Sequence, residues 1–176
     1  MANDPKRGRP RIDKGSYIHP TAVIIGNVKI GKKVFVAPGA VIRADEPGSS
    51  IFIEDCCNIQ DRVIIHGLEG SRVLIKERTS VAHGAIVHGP CIIGENCFIG
   101  FGSIVFDADI GNDVIIKHSV VIEKSKIPPS KIADSGMIIS GRSDADRLRD
   151  VDQKTKEFAE NVIKVNLELA RSYQDT

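Results

Sequence analysis

Three histidines, His66, His83 and His88, fall within 23 residues of one another. Three neutral imidazoles with an open fourth position make the ligand set of a catalytic zinc ion, so this cluster points to metal-assisted chemistry. Closeness along a chain does not bring side chains together. An element must set their geometry, and the sequence supplies one.

Aliphatic residues recur at Ile75, Val81, Val87, Ile93, Ile99 and Val105, each six after the last. The register extends back through Ile65, Ile59 and Ile53 to Ile42, Val36 and Ile30, and forward through Ile110, Ile116 and Ile122, broken only by short insertions or one-residue deletions. Four positions after each comes a mostly small residue, among them Ala40, Cys57, Ala85, Cys91, Cys97 and Ser103. Neither a helical period nor plain strand alternation gives such a pattern, but a hexapeptide left-handed parallel β-helix does, three hexads closing one triangular coil. Fifteen hexads, from Ile30 to Ile122, predict about five coils. A mainly β fold with a C-terminal α-helix is expected.

Coils of a solenoid stack at about 4.8 Å, so residues three hexads apart lie above one another. Ile65 and Val87 are so related once the insertion Gly67 to Ser71 is discounted. His66 and His88 follow them, stack on one edge, and suit two ligands of one metal. His83 follows Val81 by two positions and belongs to the preceding face. One chain therefore does not close the site, whereas a threefold homo-oligomer with His83 from a neighbour does. Arg43 occupies the slot one coil below His66, and Gln60 lies one coil below the His83 neighbourhood. The insertions Asp45 to Ser50 and Gly67 to Ser71 leave the prism at one corner and bring Asp45, Glu46 and Glu69 toward the metal edge. A carboxylate there can relay protons. His19 and His118 read as surface histidines, His118 lying two coils above His83.

The rest of the chain is consistent with a soluble cytoplasmic protein. Lys and Arg number 24 against 23 Asp and Glu, so a net charge of +1 gives no general pull toward nucleic acid or anionic lipid. No apolar run is long enough to span a bilayer, and the basic N-terminus lacks the apolar stretch of a secretory signal. The four cysteines, Cys56, Cys57, Cys91 and Cys97, have no paired metal spacing, and three occupy inward positions. The predicted organisation is a flexible basic tail at 1–16, the β-helix at 17–134, a polar linker at 135–152 and a helix at 153–174. In the helix, Phe158, Val162, Val165 and Leu169 form an apolar stripe. Asn166 falls inside that arc, where a buried amide needs partners.

The runs Ile42 to Asp45 (IRAD), Asn58 to Asp61 (NIQD), His66 and Val81 to Pro90 (VAHGAIVHGP) resemble the gamma-class carbonic anhydrases. The likeness covers the β-helix from about Ile18 to Gly136 and reaches the C-terminal helix. It implies a homotrimer with the metal between subunits: His66 and His88 as ligands from one chain, His83 from its neighbour. It implies further that Gln60 orients a metal-bound hydroxide with Asn58 nearby, that Arg43 and Asp45 form an interfacial salt bridge with Asp61 beside it, that Glu46 and Glu69 transfer protons, and that the Asn166 amide contacts substrate or product. The implied reaction is reversible hydration of CO2 to bicarbonate, with Zn2+ as the cofactor and Fe2+ or Co2+ acceptable to the same imidazoles. The chain departs from the family pattern in its short loop Gly67 to Gly70, in Lys164 where a tyrosine often stands, and in lacking tryptophan. Alternative readings are a metal-free hexapeptide acyltransferase and a noncatalytic trimeric metal-binding scaffold. Lys6 to Arg11 (KRGRPR) resembles an AT-hook, but a short basic tail before a near-neutral domain reads as a terminus, with no nucleic-acid or membrane partner expected.

Overall fold

The computed structural model describes residues 8–174. Its hexads wind into a left-handed parallel β-solenoid of about seven turns, two more than the sequence predicts. The additional coils come from hexads at both ends of the counted run. Tyr17–Ile18 and Val23–Gly26 pair beneath Phe35–Val36 and Val41–Ala44, while Lys131–Ala133 and Ile138–Ser140 pair at the top. Their aliphatic positions are weaker there, as at Ala133, and so mark the register less clearly.

The interior is a ladder of β-branched residues. Ile42, Ile65, Val87, Val105 and Ile122 stack in register on one face, and Val36, Ile59, Val81, Ile99 and Ile116 on another, all fully buried. Branching at Cβ favours the extended backbone and fills the narrow prism without aromatic rings. Cys57, Cys91 and Cys97 lie inside, and burial pushes their thiols up to about 12, which keeps them unreactive. Tight corners need the left-handed backbone. At Gly26 (φ +82°) a Cβ would stand 2.0 Å from the carbonyl oxygen of Ala44 in the next coil.

Both flanking regions are more ordered than the sequence suggests. Arg11–Ile12, expected in the tail, pairs in parallel with Val28–Ile30, because its alternating pattern continues the hexad below. The expected linker holds the strand Ile138–Ser140, the short helix Arg142–Ala145 and the strand Arg149–Asp150. That last strand runs antiparallel to Lys131–Ala133 and covers the upper edge of the sheet. Ala145 and Leu148 join the core and close its upper end. Lys6 and Arg7 of the basic stretch lie outside the described residues.

The long helix spans Gln153–Gln174. Asp152 caps it, its Oδ1 accepting the Thr155 N–H at 2.9 Å. Its buried seam is Ala159, Ile163, Asn166 and Ala170, while Phe158, Val165 and Leu169 of the expected stripe are more than a third exposed. Alanines let the helix approach the flat sheet closely, and the seam rotates to present them. Tyr173 anchors the far end by stacking on Tyr17 at 4.9 Å between ring centroids.

Candidate metal centre

His66 ends the strand Ile64–His66, and His88 lies in Ile86–Ile93 directly above it in register. Their rings converge: His66 Nδ1 stands 3.0 Å from His88 Nε2. Two nitrogens on one tetrahedral zinc, each bonded at 2.0–2.1 Å, are separated by about 3.3 Å. Burial holds the His66 pKa below its usual value, aided by His88 and Arg43 against the opposing pull of Glu46 and Asp45. The neutral imidazole is the ligating form. His66 Nε2 is buried without a properly aligned hydrogen bond, although Glu46 Oε1 approaches it to 3.3 Å. These features fit a divalent cation on this edge.

His83 sits elsewhere. It follows Ser80–Val81 on the sheet that carries the long helix, and its ring is half exposed. Nδ1 of His83 lies 2.8 Å from Asp61 Oδ2, one coil below. Within one chain Asp61 lies on the His83 edge, apart from the Arg43–Asp45 pair, because it belongs to the same corner column as His83. Among the described residues, one chain forms no group of three or more His, Cys, Asp or Glu side chains able to hold an ion.

Arg43 takes the slot below His66, as expected, and donates to Asp45 at 3.0 Å. Partial burial opposes the Asp45 charge, but the guanidinium outweighs it and holds the carboxyl below its usual range. The two insertions stack at one corner. Glu69 N–H donates to Glu46 Oε2 at 2.7 Å, so the loop that carries Glu69 also fixes Glu46 against His66. The Glu69 side chain itself is exposed.

A second polar group lies under the long helix. Gln60 Nε2 donates both to Asn58 Oδ1 and, at 2.7 Å, to Asn166 Oδ1; Asn166 Nδ2 donates to the Val162 carbonyl at 2.8 Å. With its nitrogen held twice, Gln60 keeps Oε1 as an oriented acceptor. Asn58 and Asn166 are buried, and Asn58 Nδ2 has no hydrogen-bond partner among the described residues. The structure thus gathers His66, His88, Glu46, Arg43 and Asp45 on one edge, and His83, Asp61, Gln60, Asn58 and Asn166 on the next.

Residues 9–44 and 72–107 match the family model for bacterial transferase hexapeptide (six repeats). A carbonic anhydrase from Methanosarcina thermophila is 34% identical across 98% of this chain and 78% of its own length. The chain belongs to the gamma-class carbonic anhydrase family. The family also meets assembly proteins: the carboxysome assembly protein CcmM of a Nostoc strain is 41% identical over 93% of this chain, which spans only 31% of that protein's length. A Bacillus cereus crystal structure assigned as an acetyltransferase shares the fold, with a TM-score of 0.82 at 24% identity over 97% of this chain and 94% of its own.

One feature of this gamma-class chain escaped the sequence reading. Val23, Val41, Ile64, Ile86, Ile104, Val121 and Ile138 form an outward column, one per coil, on a face that the long helix, among the described residues, does not cover. Val23, Ile64, Ile104 and Ile138 are 37–73% exposed. The signal was present: on one hexad in three, the residue before the inward aliphatic is itself β-branched.

Proposed function

We propose that the protein is a homotrimer that holds a divalent ion between subunits, with His66 and His88 from one chain and His83 from the next, and that it hydrates CO2 reversibly to bicarbonate and a proton. The observation that carries this reading is the convergence of His66 Nδ1 and His88 Nε2 at 3.0 Å on an edge where, among the described residues, the same chain completes no set of three ligands. The uncovered column of β-branched residues beside that edge supports assembly through the same face, since exposed apolar strips mark interaction sites.

An ion held by these three neutral imidazoles would lower the pKa of its water to about 7 and so supply a nucleophile for CO2 at neutral pH. The chain's own residues then divide the remaining work. Gln60 Oε1, fixed through Asn58 and Asn166, would accept a hydrogen bond from the nucleophile and so turn its lone pair toward the substrate. Asn58 Nδ2 and the Asn166 amide stand beside it to contact substrate or product. Glu46, 3.3 Å from His66, receives the proton released in each cycle, and Glu69 hands it to solvent. Arg43 and Asp45 brace the subunit boundary, with Asp61 across it. Zn2+ suits the ligand set, as do Fe2+ and Co2+.

The identity to CcmM favours a second reading, a trimeric metal-binding scaffold without turnover. Stopped-flow CO2 hydration on protein loaded separately with Zn2+, Co2+ and Fe2+ separates the two. Hydration above the buffer rate, abolished in His83→Ala, is the expected result. Mixing His83→Ala with His66→Ala subunits restores part of it, because some boundaries then carry three intact histidines. A metal-loaded trimer that shows no hydration with any of the ions leaves the scaffold.

A further inference from the structure

Above the histidines, two columns continue along the same edges. On one, Asp61, His83, Phe101, His118 and Ser135 follow coil by coil, tied by Gly84 N–H to Asp61 O (2.9 Å), Gly102 N–H to His83 O (3.0 Å), Ser119 N–H to Phe101 O (2.9 Å) and Gly136 N–H to His118 O (3.0 Å). On the other, Arg43, His66, His88, Phe106, Glu123 and Ser140 are register partners. The uncovered column of β-branched residues lies between the two.

In every coil the two edges are five residues apart: Asp61 and His66, His83 and His88, Phe101 and Phe106, His118 and Glu123, Ser135 and Ser140. The pattern survives both insertions because they lie outside this stretch. Register partners such as Val87 and Val105 are separated by one coil of 18 residues. With a rise of about 4.8 Å per coil, five residues climb about 1.3 Å. Each residue of the first column therefore stands slightly below its counterpart in the second and well above the counterpart one coil down.

Rotation about an axis parallel to the solenoid preserves height. If His83 meets His66 and His88 of the partner subunit, the contact one coil up and two coils up is fixed. Resting on the trimer reading above, we propose that the boundary extends as a continuous seam in which Phe101 docks between His88 and Phe106 of the partner subunit, and His118 between Phe106 and Glu123 of the partner subunit.

The side chains suit these places. Phe101 is 45% exposed, large for a phenylalanine on a free surface. It forms a ladder with His83 at 5.3 Å and with His118 at 4.3 Å and 11°. Phe106 likewise meets His88 edge-on at 5.3 Å. Two aromatic stacks thus face each other across the boundary. His118 Nδ1 accepts the Phe101 N–H at 3.2 Å, which leaves Nε2 to carry a proton outward. Among the described residues, Glu123 has Lys124 at 3.8 Å as its one ion partner within the chain. A donor therefore meets an acceptor at the level of Glu123, just as the same register would bring Asp61 to Arg43 of the partner subunit lower down. His118, read from the sequence as a surface histidine, becomes a contact that sets subunit register.

The test is disulfide trapping in a Cys56→Ser background. His118→Cys with Glu123→Cys places thiols in step across the seam; Phe101→Cys with Ser140→Cys places them two coils out of step. Under mild oxidation the first pair gives a covalent trimer on a non-reducing gel, and the second remains monomeric on the gel. A trimer by light scattering that cross-links with the second pair, or with neither, overturns the seam and leaves the proposed function standing. A monomer by light scattering removes both. A charge test covers loss of folding in the double-cysteine protein: His118→Glu raises the concentration at which trimers dissociate by roughly tenfold or more, and adding Glu123→Lys reverses it. Failure of the second change to restore assembly also overturns the seam.

Discussion

Asp61 holds the imidazole of His83 from one coil below, its Oδ2 lying 2.8 Å from Nδ1. A carboxylate at that distance favours the tautomer with the proton on Nδ1, which donates to it and leaves the ring's lone pair on Nε2, as a metal ligand needs. Both residues sit at the surface of a single chain, so their pairing serves something outside it. Asp61→Asn is expected to lower zinc affinity roughly 10- to 100-fold in chelator competition. The unfolding midpoint of the metal-free protein stays within the range of a surface substitution, about 0.5 kcal/mol.

Gln60 owes its orientation to two amides. Gln60→Ala is expected to leave metal content intact and to lower kcat/KM for CO2 hydration on the order of 10²-fold, the cost of a misplaced reacting group. Asn166→Ala acts through Gln60 and produces a smaller loss. Metal analysis beside stopped-flow rates checks both.

Glu46 approaches the paired histidines to 3.3 Å, and the Glu69 side chain is exposed. Glu46→Gln is expected to slow hydration by roughly 10²-fold in dilute buffer, with much of the rate recovered in concentrated imidazole. Glu69→Ala follows the same pattern with a smaller deficit. Equal losses in both buffers would assign these side chains a structural part only.

Corner glycines differ in what they cost to replace. At Gly26 a new Cβ strikes the Ala44 carbonyl of the adjoining coil, whereas at Gly84 (φ +68°) it meets nothing within 4 Å. Gly84→Ala carries only the left-handed backbone penalty, about 1–2 kcal/mol. Gly26→Ala adds a clash between coils and is expected to destabilise by more. Urea unfolding of the two variants orders them.

Asp134 ties the upper coils to the approach of the long helix, pairing with Lys117 at 2.6 Å and Arg149 at 3.0 Å. The Arg149 and Lys117 hydrogen bonds hold its carboxyl well below the usual value of 3.8. Its folded pKa lies below its unfolded one, so the stabilisation is fully present above about pH 4 and is lost as pH falls through the folded value. Asp134→Asn is therefore expected to be less stable than the parent near neutrality, and the gap narrows in acid. The effect is modest because the side chain is 45% exposed. Urea midpoints at pH 7 and pH 3 measure it.

The hexad period exposed the solenoid, and with it the stacking of His66 on His88 and of Arg43 below them. A strict repeat fixes height and face, so these relationships are linear consequences of spacing. The ends were less legible: Ala133 interrupts the aliphatic series, and the capping strand at Arg149–Asp150 pairs antiparallel, which no hexad announces. Asn166 falls within the apolar arc of the helix as the sequence places it, but the expected centre of the seam is displaced, because the periodicity of large apolar residues favours Phe158 and Leu169 over the alanines that the sheet accommodates.

Sequence alone determined the architecture, the edge on which two imidazoles meet, and the assignment of the third to another face, since each depends on counting residues around a regular coil. Only the tertiary structure decided how the side chains use those positions. It set Asp61 against His83 within the chain, clamped Gln60 between Asn58 and Asn166, and left one β-branched column uncovered. Contacts across different coils and from a distant helix depend on rotamers and docking angle, which no repeat encodes.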